Sequence, residues 1–315
     1  MSGLNFSSYR RLVVKVGSSL LVDDFGELNR TWLDKLANDV ADLSNNGHEV
    51  LIVSSGAIAI GGSVLGINKQ RAKLPDLQAA AATGQVQLVH AYQEALGRHG
   101  ITVAQILLTP DDTEDRRRFL NARRTLGKLI ALSVVPVINE NDTVATEEIR
   151  YGDNDRLAAR VAQLVMADAL ILLSDVDGLY TTDPRSNSDA KHIPEVAAID
   201  DDILSMAGES GSEVGTGGMT TKVQAAGIAT HAGCITIIAS GVIDSPLRAL
   251  KDGGRYTIFN ASDTPAAARK QWIAGVLDVS GELSLDDGAI GALQDGYSLL
   301  PVGVIDVSGR LIREQ

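Results

Sequence analysis

The chain has 315 residues, 44% hydrophobic and 22% charged, a globular composition long enough for two domains around a sizeable buried core. Its 28 Lys and Arg against 40 Asp and Glu give a formal net charge of −12, which excludes broad nonspecific adhesion to nucleic acid or anionic lipid; any polyanion has to be met by a local cluster of cations. The single cysteine, Cys234, excludes an intrachain disulfide framework and a cysteine-rich metal centre, and neither a signal peptide nor a membrane span is evident, so a reducing, cytoplasmic setting is expected.

The first apolar run, residues 11–16, has the length of a strand. Residues 31–46 follow with Leu33, Leu36, Val40 and Leu43 spaced by three and four, the stripe of an amphipathic helix that Thr31 can cap and Gly47 can end. Residues 49–53 return to strand. The rhythm continues through a long Ala-rich helix at 77–98, a strand at 101–108, a helix at 118–132 and a strand at 134–138. It then gives a helix at 155–166, a strand at 169–173, a helix at 220–231 and a strand at 235–239. Strands this apolar, joined by helices, call for a mostly parallel sheet covered on both faces. Residues 205–218 are rich in small side chains and read as a long functional loop. Residues 262–269 read as a boundary, and 270–315 as a short β-rich segment with strands at 273–277, 282–285 and 303–307. So short a segment struggles to be stable alone and is expected to lean on the main domain or to be incomplete.

In such sheets ligands bind beyond the carboxyl ends of the strands, and the unusual clusters fall there. Val14-Lys15-Val16-Gly17-Ser18-Ser19 ends an apolar strand with a lysine and a turn whose amides can hold phosphate oxygens; the plain alternative is a lysine that merely reaches solvent. Val53-Ser54-Ser55-Gly56-Ala57 ends the next strand with small residues that permit close backbone approach. Asn139-Glu140-Asn141-Asp142 crowds polar side chains at a third exit, followed by Gly152-Asp153-Asn154-Asp155 at a helix start. Ordinary capping is the plain alternative for the second of these clusters and does not account for the first. Ser174-Asp175-Val176-Asp177-Gly178-Leu179-Tyr180, with Asp183-Pro184-Arg185 beyond it, can cradle a base or ribose. Gly215-Thr216-Gly217-Gly218-Met219-Thr220-Thr221-Lys222 combines a glycine-rich loop, a helix start and one cation, the arrangement of a phosphate site that is neither a Walker A loop nor a dinucleotide fingerprint. The five histidines form no metal-spaced pair, and the arginines at 116–118, 123 and 124 have acidic neighbours that make a salt-bridged solvent face.

In order and spacing these motifs resemble the amino acid kinase family across residues 10–260, and most closely its glutamate-phosphorylating members. The resemblance implies a three-layer α/β sandwich around a mostly parallel sheet over residues 1–262. Residues 270–315 are similar to the start of a PUA module, the chain stopping at Gln315 before that module is complete. It further implies ATP-dependent phosphorylation of the side-chain carboxylate of L-glutamate to L-glutamyl 5-phosphate, the first step of proline biosynthesis, by direct in-line transfer. Lys15 and Lys222 then flank the transferred phosphoryl group and Asp155 orients both. Gly17, Ser174, Asp175, Thr216, Gly217, Gly218, Met219, Thr220 and Thr221 join the two lysines around the nucleotide. Ser55, Asp142 and Asn154 hold glutamate, and Asp153 pairs with its ammonium group. Magnesium is expected on the ATP phosphates with no protein ligand assigned, L-proline as a feedback inhibitor, and a homo-oligomer without membrane or nucleic-acid partners. Ser174 stands where the family has threonine, which keeps the hydroxyl. Two other readings are a kinase of the same fold acting on acetylglutamate, aspartate or a nucleoside monophosphate, and an RNA-binding or amino-acid-sensing module that has lost activity. The Asn139–Asp142 cluster argues against the first, and the acidic charge with the lysine pair against the second.

Overall fold

The computed structural model describes residues 3–23, 25–67, 71–144, 154–208, 218–265, 267–268, 281–294 and 299–309. The chain divides into two compact units, Met1–Ala268 and Arg269–Gln315. The first opens with β1 (Arg11–Val16), α1 (Ser18–Leu21), α2 (Arg30–Asn45), β2 (Glu49–Ser54), α3 (Ala57–Leu65), α4 (Leu74–Gly97) and β3 (Val103–Leu108). It continues with α5 (Pro110–Glu114), α6 (Arg116–Ala131), β4 (Val135–Glu140), α7 (Asn154–Val165), β5 (Ala169–Ser174), and the short strands β6 (Leu179–Tyr180), β7 (His192–Ile193) and β8 (Glu195–Val196). It closes with α8 (Asp201–Met206), α9 (Met219–His231), β9 (Ile235–Ser240), α10 (Pro246–Lys251) and β10 (Tyr256–Phe259).

Eight strands form one sheet in the order β3-β4-β2-β1-β5-β9-β10-β8. From β3 to β9 all neighbours are parallel; β10 runs antiparallel to β9, and β8 pairs parallel with β10 at the edge. The chain leaves β1 toward β2 on one side and β5 toward β9 on the other, so the carboxyl ends of β1 and β5 border a topological switch point, where open sheets of this kind bind ligands. Strand alternation then sorts the side chains. Leu12, Val14 and Val16 pack with Trp32, Leu33 and Leu36 of α2 and with Leu88 and Tyr92 of α4. Val13 packs on the opposite face with Leu157 and Val161 of α7 and Val223 of α9. Lys15 has the parity of Val13, so β1 delivers a charged side chain to the α7 and α9 face.

Several local features depart from the sequence reading, the start of α2 and the helix α3 among them. Asn29, not Thr31, caps α2, its Oδ1 accepting the Trp32 N–H at 3.1 Å and starting the helix earlier. The rhythm also gave no helix at α3, where Gly61 and Gly62 weaken the helical signal. Packing requires the first of them: a Cβ at Gly61 would lie 1.8 Å from the Ala80 carbonyl oxygen of α4, and one at Gly84 would lie 1.9 Å from the Ala57 carbonyl oxygen of α3. The two helices touch backbone to backbone there.

In the second unit β11 (Gly281–Leu285) pairs antiparallel with β12 (Val304–Gly309), and an unanticipated helix, Asp287–Gln294, falls between them in the chain. The expected strand at 273–277 lies outside the described residues. No helix among the described residues is long and apolar enough to cross a membrane.

Gly84→Ala forces α3 and α4 apart and is expected to cost about 2 kcal/mol or more. Gly127→Ala, on α6 with open space around its Cβ, is expected to be neutral or to stabilise by about 0.5–1 kcal/mol. Urea melts of the two variants check the contrast.

Candidate active site

Three buried charges meet beyond the end of β1. Lys15 is 5% exposed, Lys222 3% and Asp155 0%. Lys15 Nζ lies 2.5 Å from Asp155 Oδ1, and Lys222 Nζ lies 3.1 Å from Asp155 Oδ2. The Thr221 hydroxyl lies 2.8 Å from the Gly218 carbonyl and 3.3 Å from Asp155 Oδ2. Lys15 comes from β1, Asp155 from the first turn of α7 and Lys222 from the first turn of α9. Capping does not explain Asp155, whose carboxylate is spent on two ammonium groups. The solvent-reaching alternative for Lys15 is excluded by its burial. Two cations on one carboxylate, beside the start of α9 where Gly218 supplies no side-chain cap, form an electropositive corner suited to an anion.

Asn154, the residue before Asp155, faces a second cluster. Its Nδ2 lies 2.7 Å from the Ser54 carbonyl, 2.8 Å from Asn139 Oδ1 and 2.9 Å from Ser55 Oγ, three oxygens around its two N–H groups. Asn139 Nδ2 donates in turn to Gln85 Oε1 of α4 at 2.9 Å, and Tyr92, also on α4, has its hydroxyl 3.1 Å from Ser54 Oγ. Burial pushes the Tyr92 phenol well above its ordinary range, so it stays neutral. Asp142 sits half-buried in the turn after β4, where the Asn141 N–H returns to the Leu108 carbonyl at 2.8 Å. Ser55, Asn154 and Asp155 are thus brought to neighbouring strand and helix ends.

On the β5 side, buried Ser174 donates to Asp175 Oδ1 at 2.8 Å, while Asp175 itself is exposed and 4.0 Å from Arg185. Gly17 follows β1 directly; a Cβ there would meet nothing closer than the Leu173 carbonyl oxygen at 3.6 Å, so folding does not demand glycine and the open backbone is left for a ligand. Met219 packs half-buried against the core. The Thr220 hydroxyl lies 3.1 Å from both the Ala207 and Gly208 carbonyls, which ties α9 to the end of α8. Asp153, Thr216 and Gly217 lie outside the described residues. Gln85 and Tyr92 escaped the sequence reading; their signal is a pair of polar groups seven residues apart on an otherwise small and apolar buried stripe. The arginine run forms a salt-bridged face, with Arg118 3.4 Å from Asp112 and 3.7 Å from Asp111.

Residues 10–240 match the model of the amino acid kinase family. With the doubly wound sheet and the buried lysine pair, this places the protein among small-molecule phosphotransferases: the chain belongs to the amino acid kinase family. It is 58% identical over 306 residues to a glutamate 5-kinase of Rhodopseudomonas palustris, covering 97% of this chain and 81% of the relative. It is 56% identical over 314 residues to a glutamate 5-kinase of Nitrobacter hamburgensis, covering 99% and 83%. Among solved structures, the UMP kinase from Bacillus anthracis superposes with a TM-score of 0.56 at 17% identity, over 81% of this chain and 98% of that one. A carbamate kinase from Giardia lamblia bound to AMP-PNP does so with a TM-score of 0.56 at 17% identity, over 81% and 100%. These two share the fold.

Asp155→Ala leaves two ammonium groups facing each other out of water and is expected to lower stability by about 3–5 kcal/mol, against about 0.5 kcal/mol or less for exposed Asp175→Ala. Denaturant midpoints of the two variants measure the difference.

Proposed function

We propose that this chain transfers the γ-phosphoryl group of ATP to the side-chain carboxylate of L-glutamate, giving L-glutamyl 5-phosphate, the first step of proline biosynthesis. One observation carries the mechanism: Asp155 holds Lys15 and Lys222 on one carboxylate, next in sequence to Asn154 and its polar cluster. Glutamate 5-kinases at 56–58% identity over nearly the whole chain support the choice of acceptor.

The acceptor carboxylate is already ionised at neutral pH, so no general base is needed. One of its oxygens forms a bond to the γ-phosphorus as the bond from that phosphorus to the β–γ bridging oxygen breaks, and ADP leaves with the electron pair. Catalysis reduces to alignment and to neutralising charge on the phosphoryl oxygens. Lys15 and Lys222 approach those oxygens from β1 and α9, and Asp155 keeps both ammonium groups pointed inward. Gly17, Gly218 and the first-turn amides of Met219, Thr220 and Thr221 serve the phosphates, with Thr216 and Gly217 ahead of them in the loop. Ser174 and Asp175 serve the rest of the nucleotide. Ser55, Asp142 and Asn154 hold glutamate, with Asp153 toward its ammonium group.

Among the described residues no group of three or more His, Cys, Asp or Glu could hold a metal ion. Magnesium is placed on the triphosphate in this reading on the strength of the family resemblance, and no step is assigned to it. The family resemblance is also the support for feedback inhibition by L-proline at a site overlapping that of glutamate, for a homo-oligomer, for a cytoplasmic setting and for a PUA-like character of residues 270–315.

Mg-ATP and L-glutamate with hydroxylamine present are expected to yield ADP and γ-glutamyl hydroxamate, with aspartate and N-acetylglutamate giving none; hydroxamate from either control alone would overturn the choice of substrate. Lys15→Ala and Lys222→Ala should each lower kcat by about 10²-fold or more in folded protein, since each removes charge stabilisation from the transition state. Asp142→Ala should mainly raise the KM for glutamate, and a selective loss of ATP affinity would contradict its role.

A further inference from the structure

We infer that Gln85 is a positioning residue for the amino-acid substrate, acting through Asn139 on the amide of Asn154; the inference rests on the reading just given. Gln85 is 7% exposed and sits on α4 among Ala80, Ala81, Gly84 and Leu88, a stripe that otherwise serves close packing. Backbone groups fix which way round each amide lies. The Glu140 N–H can only donate, and it meets Asn139 Oδ1 at 2.9 Å. The far end of that amide is therefore Nδ2, and it donates to Gln85 Oε1 at 2.9 Å. The Ser54 carbonyl can only accept, and it meets Asn154 Nδ2 at 2.7 Å, so the same nitrogen faces Asn139 Oδ1 at 2.8 Å and Ser55 Oγ at 2.9 Å.

The chain of amides thus has one direction, from Asn154 through Asn139 to Gln85. It turns Asn154 Oδ1 away from the cluster, where it can accept from an ammonium group. The amide nitrogen beside Ser55 Oγ cannot accept a hydrogen bond, so the Ser55 proton is not spent on Asn154 and can serve a carboxylate. Gln85 supplies the terminal acceptor. Without it Asn139 Nδ2 is a buried donor that must shift to find another partner, and Asn139 Oδ1 then no longer holds Asn154 in the same place.

A second observation separates this role from packing. Gln85 Nε2 is itself buried with no hydrogen-bond partner among the described residues. A side chain present for stability alone would be leucine or methionine, which fill similar volume and bury no unsatisfied donor.

Gln85→Met tests the inference in the full chain. The expected result is a KM for glutamate raised about tenfold, with kcat within threefold, KM for ATP within twofold and Tm unchanged or higher. In an Asn139→Ala background the same substitution should change the glutamate KM less than twofold, because its effect is relayed through Asn139. A glutamate KM within twofold of wild type overturns the inference. So does a fall in Tm with parallel losses in every kinetic parameter, which marks a structural residue, or an undiminished effect in the Asn139→Ala background, which marks a direct contact. A wild-type protein that makes no hydroxamate from glutamate overturns the functional reading and this inference together; an active wild type with an unmoved KM overturns the inference alone.

Discussion

The carboxylate of Asp155 is the constraint on which the rest of the site depends. Two lysines more than two hundred positions apart in the chain are buried on the same face of the sheet, and charges out of water are tolerated only when closely paired. That pairing demands three things at once. Lys15 has to have the inward parity of Val13, α7 has to begin level with the end of β1, and α9 has to lie close enough to α7 for Lys222 to reach. The last condition is met by small side chains: Ala158, Ala159 and Ala162 on α7 and Ala225, Ala226 and Ala229 on α9 are all buried. Large residues at these positions would widen the gap and strand one ammonium group.

Consecutive residues at the start of α7 link two kinds of recognition. Asp155 works by charge, toward β1 and α9; Asn154 works by hydrogen-bond direction, toward the ends of β2 and β4. Both are anchored by one rigid helix, so the distance between an amino-acid site and a phosphoryl site is set by backbone geometry rather than by a loop. The α3 and α4 pair supplies the other wall. Its glycine contacts bring the Ser54-Ser55-Gly56 exit, Gln85 and Tyr92 together, and a looser helix pair would leave the amide chain without its terminal acceptor.

The sheet was legible in the sequence because it rests on a local pattern, and the charged corner because its separate motifs resemble those of the amino acid kinase family. Apolar runs joined by periodic helices specify a parallel sheet, and a lysine inside the run Val13-Val14-Lys15-Val16 stands out against its neighbours. Other features depend on distant partners. The α3 helix is locally unfavourable at Gly61, and only contact with Ala80 explains that glycine. Gln85 reads as an ordinary polar residue in an Ala-rich helix, because nothing in its own neighbourhood announces Asn139. Thr220 has the right spacing for a phosphate loop, yet its hydroxyl is claimed by carbonyls at the end of α8. Asn29 and Thr31 are both acceptable caps, and tertiary packing of Trp32 decides between them.

Net charge and site charge work on different length scales, which resolves an apparent conflict. A chain at −12 repels ATP and glutamate at long range, and bulk salt weakens that repulsion over about 10 Å. The lysine pair is buried against one carboxylate, so its field is weakly screened and acts within the reach of a hydrogen bond. Such a device contributes little to capture and much to stabilising charge that develops on oxygens already seated in the site. In the function proposed above, binding before that moment falls to directional groups, the backbone amides at the start of α9 and the ordered amides around Asn154, which would select a ligand by the placement of its donors and acceptors rather than by its overall charge.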